Sequence, residues 1–200
     1  EMCIRDSPNG IYIGAGPGSQ CLDIAFLAQQ VIEKGLDNHG QGCVAQLDVK
    51  QFYDNINPCL WARRARDRGY PAGLICAVLC LQLLPNVDLH LLGCSALVGR
   101  RTQGSLTGSR VAGQIGNFII HDILEGLAGE VCFRGFATNS FPVACATWVD
   151  NIYAFAHSIS NAIRILELFE SVLVSRWNLR VKNGSKAVLP SANNFAESPD

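Results

Sequence analysis

The sequence predicts an α+β fold, with a small antiparallel sheet covered on one face by helices. Three observations predict it. The periodicities run strand, helices, helix, hairpin, helix, strand along the chain. Two β-rich runs, Phe141–Val149 and Ile152–Ala156, meet at Asp150-Asn151, which reads as a tight polar hairpin tip. The chain has 200 residues, 48% of them hydrophobic and 16% charged, which suits one globular core and argues against a disordered chain.

The elements follow in order. Residues 1–10 are set aside as a disordered or adapter-derived start, since Glu1–Ser7 (EMCIRDS) looks like a translated sequencing-library adapter. Ile11–Ser19 (IYIGAGPGS) reads as a Gly-rich loop. Leu22, Ala25, Phe26, Ala28, Val31, Ile32 and Leu36 recur at helical spacing. Gly40-Gln41-Gly42 then breaks the chain before a strand over Cys43–Val49. Pro58 suits the first turn of a helix running to Arg68, and a second helix follows Pro71. Val87–Val98 reads as extended and Arg100–Gly108 as a polar loop. Val111–Leu127 and Asn161–Arg176 read as helices, Leu179–Val181 and Ala187–Leu189 as short strands. The folded part is therefore expected over residues 11–190, with a disordered tail over 191–200.

Composition excludes several functional classes. The net charge of −1 rules out a chain that is basic throughout, although Arg63, Arg64, Arg66 and Arg68 cluster, as do Arg100, Arg101 and Arg110. Such clusters suit either phosphate contacts or a solvated helix face. Nine cysteines are an odd number without any CxxC pair, and the four histidines lack zinc-ligand spacing. Most of the cysteines are therefore expected to be small buried hydrophobes in a reducing, intracellular compartment, nuclear or cytoplasmic. The longest apolar stretch, Ala72–Leu84, stops at Pro85 and falls short of the roughly 20 residues a bilayer span needs, so no membrane partner is expected. Gly14-Ala15-Gly16 lacks the third glycine of a dinucleotide fingerprint, and no P-loop, nucleophile elbow or HExxH occurs.

The chemistry concentrates in two carboxylates at strand ends. Asp48 closes the run Ala45–Asp48, and Asp150 sits at the hairpin tip among apolar strand residues. A carboxylate embedded in an apolar strand is costly unless it is paired or binds a cation. If the first strand lies beside the hairpin, Asp48 and Asp150 converge, and two such oxygen ligands can hold divalent ions for phosphoryl transfer. Taken singly, each Asp is more often a turn or cap residue.

Leu47–Ile56 (LDVKQFYDNI) resembles the first palm motif of reverse transcriptases of the group II intron and non-LTR retrotransposon type: an aspartate, four residues, an aromatic and a second aspartate, here Asp48, Tyr53 and Asp54. Arg101-Thr102-Gln103-Gly104-Ser105 before a long helix resembles the Gln-Gly motif. Trp148-Val149-Asp150-Asn151 stands where the family has its Tyr-x-Asp-Asp hairpin. Leu179–Val181 followed by Ser185-Lys186 resembles the next motif, and Gly14–Ser19 falls where these enzymes carry a fingers segment. The resemblance covers residues 12–190, the palm and part of the fingers, with no thumb sequence after residue 190.

The resemblance implies an RNA-directed DNA polymerase that extends a DNA primer on an RNA template with deoxynucleoside triphosphates. It implies that Asp48 and Asp150 bind two magnesium ions, with manganese as the alternative, and that Asn151 completes the catalytic hairpin. Val49 would assist through its carbonyl, Tyr53 would gate the sugar, Gln103 and Gly104 would lie near the nucleotide, and Lys186 would donate a proton to pyrophosphate. Three features depart from the pattern. Asn151 replaces the second hairpin acid, Thr107–Arg110 replaces the usual Ser-Pro, and Gly16 and Ser19 replace two fingers arginines. A decayed palm that only binds nucleic acid or protein is the rival reading. An RNA-dependent RNA polymerase shares the palm, but the bulky Tyr53 disfavours ribonucleotides.

Overall fold

The computed structural model describes residues 12–13, 21–37, 42–107, 109–127, 129–130, 136–137 and 142–191. The expectations for residues 1–10, for Gly14–Ser19 and for the tail over 192–200 lie outside the described residues. In chain order the elements are β1 (Tyr12–Ile13), α1 (Cys21–Asp37), β2 (Cys43–Asp48), α2 (Phe52–Asn55), α3 (Pro58–Asp67), α4 (Ala72–Leu83), β3 (Asn86–Leu91), β4 (Cys94–Arg100), α5 (Arg110–Leu127), β5 (Phe136–Ala137), β6 (Pro142–Val143), β7 (Cys145–Trp148), β8 (Asn151–Ala156), α6 (Ile159–Trp177) and β9 (Ala187–Pro190). The chain divides into two compact units, one of Glu1–Lys50 with Asn117–Asp200 and one of Gln51–Gly116. The α+β class read from the sequence is the observed class.

The first unit is built on a five-stranded sheet in the order β1-β7-β8-β2-β9. β2 pairs antiparallel with β8 from Cys43↔Ala156 to Asp48↔Asn151, and with β9 on its other edge. Side chains alternate across a strand, so Val44, Gln46 and Asp48 share one face. At its Val44 end that face is covered by Ile24, Leu27 and Val31 of α1, in a cluster with Ala146 and Phe155. Ala45, Leu47, Ile152 and Ala154 point the other way and are fully buried, and α6 packs on β2 and β8. α6 starts where Ser158 Oγ accepts from the Asn161 amide at 3.2 Å, and ends where Asn178 takes a left-handed φ of 53°. Both are residue types that suit those caps.

Several expectations are corrected here. Tyr12-Ile13 is not loop: it pairs parallel with Cys145-Ala146. The 141–149 run is split into β6 and β7, and the hairpin tip is Val149-Asp150, one residue earlier than expected, because Asn151 already pairs with Trp148 and Asp48. Leu179–Val181 contributes only a bridge, Val49↔Val181. On α1, Leu22 and Phe26 are 74% and 60% exposed, whereas Ile24, Leu27 and Val31 are buried. That helix is apolar on more than one side, so spacing alone does not choose the packed stripe. The cysteines are mostly exposed among the described residues: Cys21, Cys59, Cys76, Cys80 and Cys94 are, while Cys43 and Cys145 are buried.

The second unit packs α3 on α4 and carries the β3–β4 hairpin, where a single extended run was expected. Leu92 (φ 51°) and Gly93 (φ 81°) make its turn, and β4 runs on to Arg100, where the loop was expected to begin. Pro58 occupies the first turn of α3, as expected, and Asn57 Oδ1 accepts from the Cys59 and Leu60 amides at 3.0 and 3.1 Å. Trp61 and Ala65 are buried on α3, and Ile75, Val78 and Gln82 on α4. Among the described residues, no helix is long and apolar enough to cross a membrane.

Candidate active site

Asp48 ends β2 directly opposite Asn151 at the start of β8. One residue further on, the Val49 amide donates to the Asp150 carbonyl at 3.1 Å, which brings the hairpin tip alongside the end of β2. The tip is strained: Val149 has φ 58°, in a region that costs a β-branched residue about 1–2 kcal/mol. The turn places Asp150 beside Asp48 at adjacent strand ends. Burial pushes the Asp150 carboxyl above the usual carboxylate range, and the Asp48 charge and hydrogen bond raise it further. A backbone hydrogen bond and the Lys182 ammonium pull in the opposite direction without cancelling the rise.

The segment after α6 is strapped along Asp48. The Lys50 amide donates to the Arg180 carbonyl and the Lys182 amide to the Asp48 carbonyl, both at 2.8 Å. The Asp48 amide donates to Ser185 Oγ at 3.1 Å. Lys182 Nζ lies 3.4 Å from Asp48 Oδ2. Lys186, the lysine singled out in the sequence, pairs instead with Glu170 of α6 at 2.5 Å. Sequence reasoning passed over Lys182, whose place beside Asp48 follows from the bridge between Val181 and Val49. Asn151 Oδ1 accepts from Gln46 Nε2 at 3.2 Å, so the amide is held by its neighbour on the same face of the sheet.

The fold thus unites Asp48, Asp150, Val49 and Asn151 at one sheet end. Among the described residues, no group of three or more histidine, cysteine, aspartate or glutamate side chains is placed to hold a metal. Two neighbouring carboxylates are nevertheless a donor set that suits a hard cation, because each disfavours the other's charge until a positive group intervenes. Magnesium, which commonly keeps waters and takes phosphate oxygens, needs only one or two carboxylates from the protein.

In the second unit, Tyr53, Gln103 and Gly104 come together through the backbone. The Gly104 amide donates to the Ile56 carbonyl at 2.8 Å and the Ser105 amide to the Tyr53 carbonyl at 2.7 Å. Gln103 is exposed, and Tyr53 is half-buried with its ring edge-on to Phe52 at 5.2 Å. A side chain on Gly116 would meet the Phe52 ring at 3.0 Å and the Tyr53 hydroxyl at 3.4 Å, so the glycine leaves the phenol its place. Asp54 pairs with Arg101 at 3.5 Å, an exposed ion pair worth at most about 1 kcal/mol.

Gly104 is required where it stands. Its φ is +83°, and a Cβ there would lie 2.9 Å from the Asp54 carbonyl oxygen. Gly104→Ala is expected to destabilise the protein by about 2 kcal/mol or more, from left-handed strain plus the clash. Chemical denaturation checks this; an unchanged midpoint would contradict the geometry.

A pH dependence follows from Asp150. Its folded-state pKa lies above the unfolded one, so its contribution to stability is present below the unfolded value of about 3.9 and is lost as pH rises through the folded value. In chelator-treated protein, Asp150→Asn should match the parent near pH 3 and be the more stable of the two at pH 7. Unfolding midpoints at both pH values measure it.

No protein-family model matches the sequence, and no curated protein matches it. Solved structures do match. Apo telomerase from Candida tropicalis, truncated of its C-terminal domain, superposes with a TM-score of 0.62 at 10% identity, over 92% of this chain and 36% of that one. Telomerase from Candida albicans in complex with a TWJ fragment of telomeric RNA gives 0.62 at 11% identity, over 92% and 32%. This chain has a reverse-transcriptase-like fold. It spans about a third of the length of the telomerases it matches. At such identities the likeness speaks for the fold alone.

Proposed function

We propose that this chain is the palm, with part of the fingers, of an RNA-directed DNA polymerase of the group II intron or non-LTR type. The observation that carries the reading is the placement of Asp48 and Asp150 side by side at adjacent strand ends, where Asp48 pairs with Asn151 and the Val49 amide donates to the Asp150 carbonyl at 3.1 Å. The neighbouring telomerases, one of them bound to telomeric RNA, support a nucleic-acid partner. Asp48 and Asp150 hold divalent magnesium, with manganese as the substitute. Magnesium held by these two carboxylates would supply activation of a primer hydroxyl and charge stabilisation of the leaving pyrophosphate. Val49 sets the register between the strand ends through its amide, and Asn151 braces the hairpin through Gln46. Tyr53 limits the sugar to a deoxyribose, and Gln103 and Gly104 contact the nucleotide and template. Lys186 remains the proposed proton donor to pyrophosphate from the family motif, while Lys182 balances the carboxylates until metal enters. The test is extension of a DNA primer on an RNA template with magnesium; no incorporation at any magnesium or manganese concentration would overturn the reading.

Asn151 favours a second reading, a palm that binds nucleic acid without catalysis. A neutral amide brings less charge to the cation site than a carboxylate, and metal affinity depends on ligand charge. On the polymerase reading, Asn151→Asp raises magnesium affinity and extension rate. If Asn151→Asp and the parent both bind a primer–template but neither extends it, the inactive palm is the correct reading.

A further inference from the structure

Gln82 sits where the fold asks for an apolar residue. α4 reads AGLICAVLCLQL, and Ile75, Val78 and Gln82 form its buried stripe. Gln82 is only 2% exposed. A buried amide is kept at such a position only when its hydrogen bonds are made. Gln82 Oε1 accepts from Ser105 Oγ at 2.9 Å and from the Leu106 amide at 2.8 Å. Ser105 is itself buried, at 1% exposure. These bonds fall directly after Gln103-Gly104. On the other side of the same segment, the Gly104 and Ser105 amides are tied to the Ile56 and Tyr53 carbonyls. The loop is therefore clamped from two directions, from the backbone of residues 53–56 and from one glutamine oxygen.

We propose that Gln82 is a positioning residue for nucleotide binding. Its carbonyl oxygen fixes the loop that carries Gln103 and Gly104 against the backbone that carries Tyr53. The proposal rests on the polymerase reading for its functional consequence, but its structural half stands on the second unit alone. Both bonds are to a buried acceptor, so removing that acceptor orphans two donors at once rather than one. A leucine at the same position keeps the volume and makes the stripe apolar, which isolates the hydrogen bonds from the packing.

The test compares Gln82→Leu, Gln82→Glu and Ser105→Ala with the parent in single-nucleotide extension on an RNA template, alongside amide hydrogen exchange. Gln82→Leu should raise KM for the deoxynucleoside triphosphate by about tenfold, with a smaller change in kcat and an unchanged primer–template Kd. A loss of folded protein alone would lower apparent kcat and leave KM where it was. Gln82→Glu keeps an acceptor oxygen and should recover most of the parent KM. Ser105→Ala, which keeps the Leu106 bond, should fall between them. Exchange at the Leu106 amide should speed up in Gln82→Leu, while amides of α6 stay as protected as before. Equal KM in all four proteins, or equal Leu106 protection, overturns the proposal. If the parent itself does not extend, the polymerase reading falls and the exchange comparison still decides whether Gln82 holds the loop.

Discussion

Asp150→Asn is expected to abolish primer extension, by about a thousandfold or more. At the hairpin tip the variant leaves Asp48 as the remaining carboxylate of the pair. Metal ions supply several kcal/mol of charge stabilisation in phosphoryl transfer, and each 1.4 kcal/mol or so is a factor of ten in rate. Losing about 4 kcal/mol of it gives the thousandfold figure. The fold should survive, since the metal-free parent carries a burial cost on the Asp150 charge that the amide removes. An inactive but fully folded variant is thus the expected result. Extension at the parent rate would mean that the carboxylate pair is not the catalytic centre.

Tyr53→Ala is expected to admit ribonucleotides, lowering discrimination against the 2′-hydroxyl by about a hundredfold, the upper range for a steric pocket term. Tyr53 is half-buried, with its ring edge-on to Phe52 and close to Gly116, a placement that suits the proposed wall. The measurement is the ratio of kcat/KM for matched deoxy- and ribonucleotides in parent and variant. An unchanged ratio would return Tyr53 to the part of a core aromatic.

The α+β frame was legible in the sequence because its signals are local. Asp48 at the end of an apolar run, the paired β-runs around residue 150, and the helix expected over Asn161–Arg176 (observed over Ile159–Trp177) all show in spacing and residue type. The hairpin tip was misplaced by one residue because Asp150-Asn151 is the better turn pair on propensity, whereas the structure puts a strained Val149 into the turn and Asn151 into the ladder. That exchange is what sets Asp150 beside Asp48. Lys182 could not be told from Lys186 by motif, since the difference is made by a bridge between Val49 and Val181, distant in sequence. The short helix α2 escaped because its residues, Phe52–Asn55, make only one turn. Gln82 escaped because a single polar residue inside an apolar helix carries no periodic signal; only its two hydrogen bonds reveal what it does.

Asp48 and Asp150 are proposed to form one cation site, and manganese binding tests this most directly. Water-proton relaxation during a manganese titration reports binding without any need for catalysis. The parent should bind manganese, magnesium should displace it, and Asp48→Asn and Asp150→Asn should each weaken binding at least about tenfold, since both remove ligand charge. Manganese affinity that is the same in the parent and in both variants would contradict the account.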